Sequence, residues 1–175
     1  EGDKKMHILN YYFTPFAVIL IVFAIFFSQP QRSVTYASFG LLAAAFGLNY
    51  WMSANVYRLM RFTRSIRGIM VWINLITSAA LFYLLAPYWA PMWLLFLTAP
   101  AASAMFMQKW QVFLIALAAA ALMLGIYYAR SVIYGMGISS QLLGMAATQA
   151  VFIVFFSMFT AAMTEMTVKV RDSLR

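Results

Sequence analysis

Residues 56–68 read Val56-Tyr-Arg58-Leu-Met-Arg61-Phe-Thr-Arg64-Ser-Ile-Arg67-Gly68, an arginine at every third position with apolar residues between. The sequence on either side is uncharged, from Ser33 to Tyr57 and again from Gly68 to Gln108. Three physical readings compete for the run. A cytoplasmic loop would satisfy the tendency of basic residues to stay on the inner side of a membrane. In an interfacial helix, arginines three apart step by roughly 300°, so four sweep about half the circumference and lie on anionic headgroups. In a voltage sensor the arginines would be buried, at about 2.5–3.5 kcal/mol each on the insertion scale. Sensors of that kind offset the cost with acidic partners. Here the four acidic residues are Glu1, Asp3 and Asp172 in the tails and Glu165 near the end of the last apolar stretch. The countercharges are missing. Arg58, Arg61, Arg64 and Arg67 are therefore expected at the cytoplasmic surface, facing water or lipid phosphate.

Composition agrees with a membrane setting. The 175 residues are 65% hydrophobic and 9% charged, with a mean hydropathy of +0.85, where a soluble domain carries about 25% charged residues. A net charge of +8 would point to nucleic acid in a soluble protein. Here the cations flank apolar spans, so no nucleic-acid partner is expected. The chain has no cysteine and a single histidine, His7, which removes disulfides, thiolate nucleophiles and multi-histidine metal centres. A start at Glu1 rather than Met suggests a trimmed or processed piece.

Six apolar spans follow from the pattern, at about 8–28, 33–53, 68–86, 92–107, 110–128 and 141–163, each placed against the ~30 Å thickness of hydrocarbon. The first is too long for a signal-peptide core and lacks a small-x-small cleavage site. Pro15 and Pro100 predict kinks in the first and fourth. Gly40, Ala43, Ala44, Ala45 and Gly47 offer the second span a face for close helix approach. Tyr88 and Trp89, in the turn between the third and fourth, suit the headgroup level. With an even number of spans, both ends share a side with residues 58–67 and Lys109. That side holds ten of the twelve basic residues and the other only Arg32 and Arg130. The expectation is an all-α integral membrane protein, one six-helix domain with both termini cytoplasmic.

Little chemistry is available to such a chain. Membrane hydrolases need a nucleophile with a base or carboxylates that hold a metal, and proton-coupled transporters need an intramembrane acid or histidine. Only Glu165 comes near, and Lys169 four residues on pairs with it as an i,i+4 couple. No catalytic residue is expected in this segment, and no cofactor is named. The thirteen methionines, Met105 and Met107 among them, fit helix packing better than Cu(I) ligation, which would call for Cys or further His; no metal site is expected. Asn74, Thr77 and Ser78 on the third span, and Thr148 and Gln149 midway along the sixth, are the polar groups deepest in hydrocarbon. They read either as interhelical hydrogen bonds or, with Trp93, as the polar floor of a small ligand pocket opening toward Tyr88 and Trp89.

Residues 74–104, with Asn74-Leu-Ile-Thr77-Ser-Ala-Ala-Leu-Phe-Tyr83, a turn closing on Ala90-Pro91, then Trp93-Leu-Leu-Phe-Leu-Thr-Ala-Pro100-Ala-Ala-Ser-Ala, resemble the multi-helix membrane input region of bacterial sensor histidine kinases and diguanylate cyclases. Asn74 stands where many members carry Asp, and the turn lacks their glycines. The resemblance carries no ligand residue across. It implies a sensory or dimerising membrane module that hands a signal to a cytoplasmic catalytic domain. Two other classes fit the composition: a substrate-binding membrane subunit of a small-molecule transporter, and a non-catalytic structural subunit of a larger membrane complex.

The sixth span has no Gly or Pro to stop it at Met163, so a helix from about Gln141 to at least Val170 is expected. Phe159, Met163, Met166, Val170 and Leu174 continue an apolar stripe past the hydrocarbon. A second copy of the chain, or a partner subunit, would bury it through this helix.

Overall fold

The computed structural model describes the backbone of residues 2–55, 63–135, 137 and 139–173, and the side chains of 15–51 and, within those ranges, from 68 onward except Asp172. Six α-helices account for nearly all of it: α1 Gly2–Ser28, α2 Arg32–Asn55, α3 Thr63–Leu85, α4 Leu95–Ser103, α5 Lys109–Ile133 and α6 Ser140–Ser173. No strand occurs among the described residues. A 3₁₀ turn, Ala90–Leu94, leads into α4. Three helical stretches are long and apolar enough to cross a membrane: Gly68–Leu85 of α3, all of α5, and Ser140–Arg171 of α6. Pro15–Ser28 and Ala90–Ser103 are apolar but shorter. Large apolar side chains are widespread on the surface. Val151 is 70% exposed and Phe155 68%, a display of contiguous apolar area that water does not tolerate and lipid does. This is a membrane protein.

Two compact units divide the chain, Glu1–Thr98 and Ala99–Arg175. In the first, α2 packs on α3, and α1 packs on α2 and on the 3₁₀ turn. Its buried side chains come mainly from α3, the 3₁₀ turn and the start of α4: Leu75, Phe82, Leu85, Met92, Leu95 and Phe96, with Ile21 and Ala24 from α1. Phe82 meets Phe96 edge to face at 5.3 Å, a preferred aromatic geometry. Gln29 ends α1 in the left-handed region, φ 44°, and Pro30, which is buried, prevents the helix from resuming.

The second unit is the α5–α6 hairpin with the segment that precedes it. Ala116, Ala119 and Ala120 of α5 and Ala146, Ala150 and Ala161 of α6 are all buried. Small side chains on both helices let the two backbones approach closely, which is how helices associate where lipid supplies no hydrophobic drive. A capping box of Gln108 and Gln111 starts α5, and Gly135 at φ +61° follows its end.

Several boundaries differ from those read off hydropathy. α3 begins at Thr63 and so takes Arg64 and Arg67 into its first turns, because helix formation has no reason to stop at the edge of an apolar run. α4 ends at Ser103, four residues before the expected end of its span. There Met105 N–H and Phe106 N–H turn to carbonyls three residues back, the tightening that closes a helix. α5 runs five residues beyond Tyr128, to Ile133, and carries Arg130 in its last turn, a favourable place for a cation. Pro15 lies inside α1 without ending it. Of the small residues of α2 expected to admit a close helix, Ala45 is half-buried and the others lie on the exposed side. Gly40, Ala43, Ala44 and Gly47 are exposed, and a Cβ built on Gly40 or Gly47 meets nothing within 4 Å; α2 faces α3 with its other side.

Candidate functional site

The polar residues singled out in the sequence fall in both units. Asn74, Thr77, Ser78 and Trp93 belong to the first, Thr148 and Gln149 to the second. On α3, half-buried Asn74 accepts a hydrogen bond through Oδ1 from Asn49 Nδ2 of α2 at 2.9 Å. The carbonyl oxygen of Asn49 is buried with no partner among the described residues. Thr77 donates to the carbonyl of Ile73, at 2.9 Å, one turn back on its own helix, and Ser78 is buried. Trp93 is half-buried in the 3₁₀ turn. Nearby, Trp89 stacks on Phe27 at 5.9 Å with the rings 16° apart.

On α6, Gln149 is buried and accepts from the Tyr127 hydroxyl of α5 at 3.1 Å. Thr148 is exposed and donates to the carbonyl of Gly144 at 2.9 Å. Thr77 and Thr148 thus spend their protons on their own helices, the usual recourse of a hydroxyl in hydrocarbon. The two amides instead reach across to another helix.

A cleft of about 310 Å³ lies in the second unit toward the closed end of the α5–α6 hairpin. Leu124, Tyr127 and Tyr128 form its α5 wall, and Leu143, Ala146 and Ala147 its α6 wall. The volume is at the lower end of the ~300–1,000 Å³ typical of ligand pockets, and the apolar lining is typical too. Small alanines on α6 stand across it from a leucine and two tyrosines on α5. Arg130 lies one turn beyond Tyr127, half-buried, with its guanidinium carbon 5.5 Å from the centre of the Tyr134 ring, a cation–π distance.

At the open end of the hairpin, Glu165 binds two ammonium groups, Lys109 at the start of α5 and Lys169 one turn along α6 at 2.8 Å. The i,i+4 pair is legible from spacing. Lys109, far away in sequence, is not, although the charge count places it on the same side as Lys169. Beside this ion pair, Ala104, Val112 and Ala161 form a small buried cluster with Met107 against it. Among the described residues, no three His, Asp or Glu side chains gather as metal ligands do.

The arginine run is only partly described. Arg58 and Arg61 lie outside the described residues, and Arg64 and Arg67 are placed by backbone alone at the start of α3. Comparison with family models, with curated proteins and with solved structures gives no match in any of the three.

Proposed function

We propose that this chain is a membrane-embedded input module that senses a signal in the bilayer or at its surface and passes it to a cytoplasmic output domain. In this reading six spans cross a bacterial inner membrane with both termini in the cytoplasm. Arg58, Arg61, Arg64 and Arg67 rest against anionic headgroups. Catalysis belongs to the output domain. The observation that carries the reading is α6. Its 34 residues are continuous and measure about 51 Å, against ~30 Å of hydrocarbon. A helix of that length leaves the membrane as a rod able to transmit displacement.

Its exposed stripe supports the same reading. Phe159, Met163, Met166 and Val170 are each about half exposed or more and follow 4-3-4 spacing, which suits the seam of a paired helix. Lipid covers the first two. The last two flank the Glu165–Lys169 ion pair, where charge marks the approach to water, and a second copy of α6 is the natural cover.

Two experiments test this. The chain has no cysteine, so Met166→Cys and Val170→Cys report without background. Oxidised membranes should yield disulfide-linked dimers at both positions and none at Val168→Cys, which is on the more buried side; the absence of dimers would remove the paired-helix element. The second fuses a histidine-kinase catalytic domain after Arg175 and inserts one or seven residues after Val170. One residue rotates the output by about 100°, seven restore the phase. Equal kinase activity in all three fusions would defeat the sensor reading.

A further inference from the structure

The cleft between α5 and α6 combines two features that a closely packed hairpin does not need. Its walls are apolar, and a polar contact at its edge, Tyr127 with Gln149, is already made within the protein. The interior therefore asks nothing polar of an occupant, and a sugar, nucleotide or metal would be desolvated there without recompense. Charge enters only beyond it. From Trp110 to Thr164 the sequence contains a single charged residue, Arg130. That residue lies in the last turn of α5, one turn from the cleft wall at Tyr127, with its guanidinium carbon 5.5 Å from the centre of the Tyr134 ring. A hydrocarbon slot with a cation one helical turn from its wall, near the end of a membrane helix, has the complementarity of an amphiphile: chain inside, anion at the guanidinium.

We propose that this cleft is a lipid site, seating one acyl chain of an anionic phospholipid with its phosphate at Arg130. Leu124, Leu143 and Ala147 line the chain, and Tyr128 packs along it. Ala147 is small and exposed, so it leaves room for a methylene chain to enter sideways from the bilayer. Arg130 selects the headgroup, because a zwitterionic lipid brings a choline or ethanolamine cation beside the same guanidinium. This rests on the chain being a membrane protein and is independent of the sensor reading.

The test uses the whole chain in detergent and counts bound lipid by native mass spectrometry. Arg58, Arg61, Arg64 and Arg67 are first replaced by Gln, so that the basic run does not compete for anionic lipid. In that background phosphatidylglycerol should be retained at about a tenth of the concentration needed for phosphatidylcholine of the same chains, as one charge-assisted contact implies. Adding Arg130→Gln should abolish the preference and leave residual binding equal for the two. Ala147→Trp, which fills the slot, should remove the tightest-bound lipid of either kind. Leu143→Ala, at an exposed wall position, should weaken both lipids alike and serves as the readout where the Trp variant elutes aggregated. Equal retention of the two lipids before Arg130 is changed would overturn the proposal. So would a preference that survives Arg130→Gln, or unchanged binding in both wall variants. Free fatty acid outcompeting phosphatidylglycerol at equal concentration would also overturn it, identifying a single-chain carboxylate as the occupant.

Discussion

The α2–α3 and α5–α6 hairpins solve one problem in different ways. Each joins two helices across an apolar setting, and each has a side-chain hydrogen bond between the partners: Asn49 to Asn74 at 2.9 Å in one, Tyr127 to Gln149 at 3.1 Å in the other. In α5–α6 the bond is set in a seam of alanines from both helices and is joined by the Lys109–Glu165 ion pair. In α2–α3 the buried residues are supplied almost entirely by α3, while the described part of α2 buries only Ser38. α2 has more small residues than its neighbour needs, and Gly40, Ala43, Ala44 and Gly47 are on its exposed side. Small residues make an interface only where the register presents them to another helix. Their presence in a span is not enough.

The sharpest way to break this comparison is to overfill the alanine seam. Ala120→Leu should cost about 1–3 kcal/mol, as extra methylenes do in a closed core, read as earlier thermal unfolding of the protein in detergent. Gly47→Leu should fall within about 0.5 kcal/mol of the parent, since nothing stands near it. Equal losses would mean that the exposed face of α2 is covered after all.

Smaller effects separate the two hydrogen bonds. Asn74→Ala leaves Asn49 without the partner that its amide has now, in a hairpin whose described buried residues come almost entirely from α3. It should cost about 0.6–1.7 kcal/mol, between the average and the maximum of measured interhelical bonds in membranes. Tyr127→Phe removes a bond in a seam that alanine packing holds independently, and its cost should lie near the lower figure. A double-mutant cycle on each pair checks this, and a larger coupling for Tyr127–Gln149 than for Asn49–Asn74 would reverse the ranking.

Glu165→Gln should have the most local consequence. Both lysines lose their partner, and amide exchange should accelerate in residues 166–173 and at the first turn of α5, with thermal unfolding little changed because the pair is exposed to water. Lys169→Gln should accelerate exchange in α6 alone. If the two variants behave alike, Lys109 contributes nothing to holding the hairpin's open end.

Much of this architecture was legible in the sequence, and the gaps have physical causes. The length of α6 was visible because nothing between Gln141 and Val170 except Gly144 opposes a helix, and apolar spacing persists past Met163. The apolar span of α3 is legible as about 68–86, against Gly68–Leu85 in the structure; the helix itself starts earlier, at Thr63, since Arg64 and Arg67 are good helix formers. Asn74 and Gln149 could be marked as residues in need of partners, since an amide in hydrocarbon must be satisfied. Their partners could not be named. Asn49 and Tyr127 are found only once hairpin register is known, and Tyr127 reads from sequence as one more interfacial aromatic. The cleft was invisible for the same reason: Leu124, Leu143 and Ala147 are ordinary until two helices are aligned.

The register of α5 against α6 has a mechanical consequence. The hairpin is fastened at two levels, Lys109 to Glu165 and Tyr127 to Gln149, about 27 Å apart along α5 and about 24 Å along α6. A single fastening would act as a pivot, about which the helices could scissor. Two fastenings so widely separated act as a brace. Sliding α6 by one turn, about 5.4 Å, would break both at once, so the small motions open to α6 are those it shares with α5, as tilt or roll of the pair as one beam.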